Sequence, residues 1–119
     1  MIRKNQITTK QGIVIIICSV PDDERHTGIK IAKHLLNNKF AACVTILPNA
    51  ISLYNWQDKL QQTNEIQLLI KTHVSLQQTI FEQIKTYHSY HIPELLSIAV
   101  TDIEHEYLLW ILSSLVKLT

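Results

Sequence analysis

The chain has 119 residues, is 46% hydrophobic and carries a formal net charge of +1 at pH 7. Its size is that of one domain with one hydrophobic core, which we expect to cover residues 1–119, with 1–12 as a flexible N-terminal segment. The scattered Lys and Arg residues argue against a nucleic-acid partner, and the two glycines argue against a glycine-rich phosphate loop.

The predicted elements begin with a strand and a helix. Residues 13–18, IVIIIC, are a continuous β-branched run, which is typical of a central strand covered on both faces. Pro21 is expected to end this strand, and Asp22 or Asp23 to cap the helix that follows. The apolar residues of that helix recur at helical spacing, namely Ile29, Ala32, Leu35 and Leu36. The two asparagines at residues 37–38 are expected to end it.

Two more strands are predicted in the middle of the chain. Residues 40–47 indicate a second strand, which Pro48 bends before it continues through residues 50–56. The polar residues 57–65 predict a turn region. Residues 65–72, EIQLLIKT, alternate between apolar and polar side chains and predict a third strand.

The last third of the chain completes a recognisable order of elements. Residues 73–88 predict a helix with Ser75 as its cap, residues 95–100 a fourth strand, and residues 104–118 a C-terminal helix. The order β-α-β-β-α-β with an added helix is that of the ferredoxin-like plait, an α+β fold with an antiparallel sheet. In this plait the first strand lies between the third and the fourth and runs antiparallel to both.

This topology predicts that Cys18, at the end of the first strand, lies near the loop YHSYHIPE at residues 87–94. The nearby start of the first helix should favour a Cys18 thiolate. A thiolate with an imidazole, from His88 or His91, is a ligand set that suits copper or zinc. The alternatives stay open, because Cys18 and Cys43 can be core residues and His88 can cap the preceding helix.

The N-terminus and the cysteine count bear on location. The start of the chain is polar and lacks the apolar region of a signal peptide, and the apolar run at residues 13–18 is too short to span a membrane. Two cysteines do not make a disulfide framework. We therefore expect a cytoplasmic protein with reduced thiols and no membrane partner.

Several separate stretches of the sequence resemble the CutA divalent-cation tolerance family. They occur in the family's order over about residues 13–115, and they are residues 17–24 (ICSVPDDE), 41–56, 65–72 (EIQLLIKT), 87–96 (YHSYHIPELL) and 106–111 (EYLLWI). The resemblance implies the ferredoxin-like plait and a tight homotrimer, similar in shape to the PII signalling proteins. It also implies a role in tolerance to copper and other divalent cations.

The same resemblance implies that Cys18 and His88 bind copper or another divalent cation. Where some members have a second histidine, this chain has Tyr87, which is a poor copper ligand. The ligand set is therefore thin, and we expect Cys43, His91 or a neighbouring chain to complete it.

Four other residues of the matched stretches suggest a second function. Some of the residues Trp56, Lys71, Tyr90 and Glu94 are expected to converge at subunit clefts, and the alternative is that they form interface contacts. A cleft of this kind could hold an anionic or carboxylated small molecule. The alternative function is therefore that of a PII-like sensing or scaffold trimer that acts through a protein partner, whose identity the sequence does not give.

Catalysis is not expected of this chain. The loop after the first predicted strand, SVPDDER at residues 19–25, is acidic and without glycine, so it would repel a phosphate group. A nucleophilic pair of Cys18 and His88 is geometrically feasible, but no oxyanion hole is evident beside it. We therefore interpret the protein as a binding protein and not as an enzyme.

Overall fold

The computed structural model describes residues 10–88, 90 and 92–117. The helices and strands are β1 (Ile13–Pro21), α1 (Thr27–Asn37), β2 (Cys43–Trp56), β3 (Lys59–His73), α2 (Gln77–Tyr87), β4 (Glu94–Ala99) and α3 (His105–Ser114). Residues 1–9 of the predicted flexible segment lie outside the described residues, whereas Lys10–Gly12 form a single 3-10 turn. None of the described helices is long and apolar enough to cross a membrane.

The four strands form one antiparallel sheet in the order β2-β3-β1-β4. β1 therefore lies between β3 and β4 and runs antiparallel to both, as the predicted plait requires. The described residues form an α+β fold with three α-helices and an open antiparallel sheet, and the predicted fold class is confirmed.

The core lies between one face of the sheet and the helices. Alternate side chains of β1 point to this face, and each is at most 2% exposed: Val14, Ile16, Cys18 and Val20. Gly28 lets α1 approach the sheet closely, because a Cβ atom built there would lie 3.1 Å from Cγ2 of Val20. α1 and α2 contribute the fully buried Leu35, Ile80 and Ile84.

The N-cap of α1 is His26 and makes no side-chain capping hydrogen bond, so the prediction of Asp22 or Asp23 as the N-cap is wrong, although Asp23 still binds the first residue of the helix. The helix begins at Thr27, and the carboxylate of Asp23 accepts hydrogen bonds from the Thr27 backbone N–H at 3.1 Å and from its hydroxyl at 2.7 Å. His26 precedes the helix in the left-handed region, with φ 54°. β1 continues three residues beyond the predicted run and ends at Pro21.

The predicted turn at residues 57–65 is wrong. Only Gln57 and Asp58 form the turn, and β3 begins at Lys59, so the polar residues that follow pair with β2 as a long hairpin. Their polar character reflects solvent exposure on both faces of the hairpin, because most side chains of this part of β3 are exposed. Propensity is a weak guide where pairing between strands decides the structure.

The predicted bend at Pro48 is a β-bulge. Leu47 pairs with Gln67, but the next pair is Ala50 with Glu65, so β2 has one more residue than β3 at this point. Asn49 has a positive φ of 64°, which asparagine adopts more readily than most residues. The sheet pairing therefore resumes beyond the bulge in a shifted register.

The hairpin turn yields a stability prediction. Gln57 and Asp58 have φ values of 51° and 63°, the left-handed combination that two-residue hairpins usually fill with Asn-Gly or Asp-Gly. We expect Asp58→Gly to raise the free energy of unfolding by about 0.5–1 kcal/mol, because glycine adopts positive φ without steric cost. The measurement is guanidinium unfolding at a fixed chain concentration.

The matched control is the next residue in the chain. Lys59 lies in an extended strand, where glycine costs about 0.5–1 kcal/mol, so Lys59→Gly should destabilise the protein. Destabilisation by Asp58→Gly would contradict the argument from positive φ.

Candidate functional site

The predicted thiol and imidazole meet at the backbone of Ser19, near the end of β1. The Ser19 carbonyl oxygen accepts a hydrogen bond from Nε2 of His88 at 2.7 Å, and Sγ of Cys18 lies 3.9 Å from the same oxygen. The hydroxyl of Ser19 donates to Oε1 of Glu94 at 3.0 Å, where β4 begins beside β1. The structure thus brings together Cys18, His88 and Glu94 from distant parts of the sequence.

The thiol of Cys18 is not a thiolate. The side chain is fully buried on the helix-covered face of the sheet, and this burial, with the nearby charges of Glu94 and Glu65, raises the thiol pKa to about 12. The expectation of a thiolate stabilised by the helix dipole is therefore wrong, because α1 begins only at Thr27. At neutral pH the Cys18 side chain packs as a small apolar group.

Both ring nitrogens of His88 bind the backbone. Nε2 donates to the Ser19 carbonyl, and Nδ1 accepts from the Tyr90 N–H at 3.1 Å, which defines the neutral tautomer with its proton on Nε2. The rings of His88 and Tyr90 also pack against each other, with centroids 4.7 Å apart. The backbone N–H of His88 closes α2 by donating to Ile84, but its ring lies on β1 and not on the helix end.

Cys43, another predicted ligand, is not beside Cys18. Cys43 faces Lys71 on the neighbouring strand, and Nζ of Lys71 lies 3.6 Å from its Sγ. By strand alternation, Cys43 and Cys18 lie on opposite faces of the sheet. His91 lies outside the described residues. Within the described part of the chain, no group of three or more His, Cys, Asp or Glu residues could hold a metal ion.

A cleft of about 820 Å³ opens beside this site. It lies between the β2–β3 hairpin and the segment that leads into β4. Of the four residues discussed for subunit clefts, Trp56, Tyr90 and Glu94 line this cleft of the single chain. Lys71 lies elsewhere, because its Nζ contacts Cys43 and donates a hydrogen bond to Thr45.

The cleft contains a carboxylate that sequence reasoning missed. Glu65 lines the cleft and is only 5% exposed. Burial, together with the neighbouring Glu65 carboxylate, raises the pKa of Tyr90, so the Tyr90 hydroxyl stays protonated beside Glu65. No sequence pattern indicated this burial, since Glu65 lies at the boundary between the predicted turn and the third predicted strand.

Comparisons with known proteins extend over nearly all of the described chain. The family model described as CutA1 divalent ion tolerance protein matches residues 14–114. The Divalent-cation tolerance protein CutA of Citrobacter koseri is 44% identical over 102 residues, which are 86% of this chain and 87% of that protein. The crystal structure of CutA from Xylella fastidiosa is 36% identical with a TM-score of 0.82, over 87% of this chain and 98% of its own. The crystal structure of CutA1 from Oryza sativa is 32% identical with a TM-score of 0.83, over 88% of this chain and 94% of its own.

The raised pKa of Cys18 predicts a slow reaction with alkylating agents. A pKa about three units above the ordinary 9.0 lowers the thiolate population at pH 8 roughly a thousandfold. Alkylation of Cys18 by iodoacetamide should therefore be at least about a hundredfold slower in the folded protein than in guanidinium, as followed by peptide mass spectrometry. Equal rates in the two states would show that the thiol is accessible and ionised, contrary to the structure.

Proposed function

This chain belongs to the CutA1 divalent ion tolerance family, and on that basis we propose that it is a homotrimeric copper-binding protein that supports tolerance to copper and other divalent cations. The observation that carries the metal part of this proposal is the meeting of Cys18 and His88 at the Ser19 carbonyl oxygen. Sulfur and imidazole donors are those that copper prefers, particularly in the Cu(I) state.

Copper binding at this place requires two local changes. Cys18 must lose its proton, and His88 must release the backbone group that one of its ring nitrogens binds. Since the pKa of the thiol is raised, the metal competes with a tightly held proton at neutral pH. We therefore propose a site whose affinity rises with pH, and whose remaining ligands come from His91 or a neighbouring chain.

Exposed apolar side chains support association with further copies of the chain. Large hydrophobic residues of the hairpin and of α3 are 48–73% exposed in the single chain: Ile51, Leu60, Leu109 and Trp110. Apolar surface of this extent usually marks a protein interface. Within one described chain, β2 and β4 are the outer strands of the sheet, so their free edges are open to pairing with neighbours. The number of three subunits follows from the resemblance to the CutA family.

The cleft favours a second candidate function. A cavity of about 820 Å³ with aromatic and carboxylate side chains is of the size that small-molecule sites have. We propose as the alternative that the trimer senses a small molecule there and acts through a protein partner, in the manner of a PII-like protein.

We propose binding and not catalysis for this protein, and a cytoplasmic location. A protonated Cys18 beside a His88 whose two nitrogens are both engaged does not form a nucleophile–base pair. A reducing compartment would keep the two free cysteines, Cys18 and Cys43, available as thiols. Cell fractionation with an antibody against the native protein tests the location.

Copper binding is predicted to depend on Cys18 and His88. Titration calorimetry with Cu(I) under reducing conditions should give about one ion per chain, and Cys18→Ser and His88→Ala should each abolish binding. Because one thiol proton is released, the apparent affinity should increase up to about tenfold per pH unit between pH 6 and 9. Cys43→Ser is the matched control and should bind as the original protein does. Equal binding by all four proteins would refute the site.

Subunit association is predicted to depend on the hairpin. Ile51 is 62% exposed in the single chain, and Ile51→Glu would place a charge in a buried contact of the trimer. Sedimentation equilibrium should then show a shift from the trimer to smaller species. Ile29→Glu makes the same change at an exposed position of α1 and should leave the trimer intact. A trimer that persists in Ile51→Glu would exclude this part of the hairpin from the interface.

A further inference from the structure

We propose that the cleft between the β2–β3 hairpin and the start of β4 binds an organic cation, with its positive group at Glu65 and Glu94 and its apolar body against the aromatic wall. The inference rests on the small-molecule function proposed above, and its cleft lies beside the candidate copper site. It concerns the charge of the ligand, for which the sequence had suggested the opposite sign.

The charge of the cleft is the first argument. Among the described residues that line it, Glu65 and Glu94 carry negative charge, and none is Lys or Arg. Within the single chain, the side chain of Lys71 contacts Cys43 and Thr45 on the adjacent strand and does not line this cleft. An anionic ligand would therefore meet two carboxylates, while a cation would meet complementary charge.

The burial of Glu65 is the second argument. Its side chain is 5% exposed, and placing a carboxylate out of water is costly unless charges or hydrogen bonds compensate for it. The Tyr90 hydroxyl, which lines the same cleft, is the neighbouring group that can donate to Glu65. A bound ammonium group would supply both a further donor and the opposite charge, which gives this buried acid a role in the ligand's recognition.

The aromatic residues of the cleft are the third argument. Tyr54 and Trp56 alternate along β2 and line the cleft together with Tyr90. The Tyr54 hydroxyl accepts a hydrogen bond from Thr63 across the hairpin at 3.1 Å, which orients its ring. Aromatic faces attract cations through their quadrupole, and tryptophan does so best.

The apolar part of the lining separates an organic cation from a metal ion. Leu53, Ile92 and Pro93 also face the cleft, and such side chains bind hydrocarbon and not a hydrated ion. Hard divalent ions require six or more oxygen ligands, and the described residues place no group of three acids, histidines or cysteines together. The chemistry of the lining therefore fits an ammonium ion with an apolar body.

Three probes of one shape and different charge test this proposal on the full-length trimer. Benzylammonium, benzyl alcohol and benzoate are titrated into the protein at pH 7 with a chelator present, which keeps metal out of the experiment. We expect saturable binding of benzylammonium, at least tenfold tighter than that of benzyl alcohol, and no binding of benzoate. Added sodium chloride should weaken the benzylammonium interaction.

Variants then locate the interaction. Glu65→Gln preserves the shape of the side chain and should weaken benzylammonium binding at least tenfold. Glu94→Gln, at an exposed position, should also weaken it and serves if Glu65→Gln fails to fold. Glu82→Gln removes a charge from the exposed surface of α2 and should bind as the original protein does.

The outcomes separate this inference from the function on which it rests. Tighter binding of benzoate than of benzylammonium would overturn the cation assignment while keeping a small-molecule site in the cleft. Absence of binding by all three probes would overturn the inference and remove its support from the sensing function. Benzylammonium binding that is unchanged in both Glu65→Gln and Glu94→Gln would also overturn the inference, because the cation would then bind elsewhere.

Discussion

Pairing of β1 on both of its edges is the constraint on which the rest of the structure depends. β3 pairs along one edge from Ile13 to Pro21, and β4 along the other from Val14 to Ser19. This double pairing fixes the end of β1 beside both Glu65 and Glu94. The candidate metal ligands and the acidic cleft are therefore assembled around one short stretch of backbone. Cys18 faces the core from this stretch, while Ser19, the next residue, faces the cleft.

The sequence predicted those parts of the fold in which the pattern of apolar side chains follows their burial. The uninterrupted apolar run of β1 reflects burial in the centre of the sheet, and the helical spacing of α1 reflects its apolar face on that sheet. Residues 59–64 carried no such signal, because they extend beyond the core as part of an exposed hairpin. Their strand structure is set by pairing with β2, which a polar sequence does not reveal.

The position of the candidate site was predictable, but the protonation state of Cys18 and the charge of the neighbouring cleft were not. Strand order alone placed His88 near Cys18, since topology determines which segments are neighbours. The state of Cys18 depends on complete burial and on two carboxylates from other strands, which no local pattern encodes. Likewise, Lys71 was expected in a cleft because of family resemblance. In the single chain its side chain lies instead beside Cys43 and Thr45.

The bulge between Leu47 and Ala50 shifts the register of β2 against β3 by one residue over the whole outer part of the hairpin. One additional residue on β2 exchanges the faces to which odd- and even-numbered side chains point relative to β3. Only because of this exchange do Tyr54 and Trp56 share a face with Glu65. Removal of a single residue at the bulge would turn both rings to the other side, and loss of two would preserve their orientation. Whether the number of inserted residues at Pro48 is odd or even therefore decides which side chains line the cleft, although Pro48 is about 6 residues away from Tyr54, the nearer of the two rings.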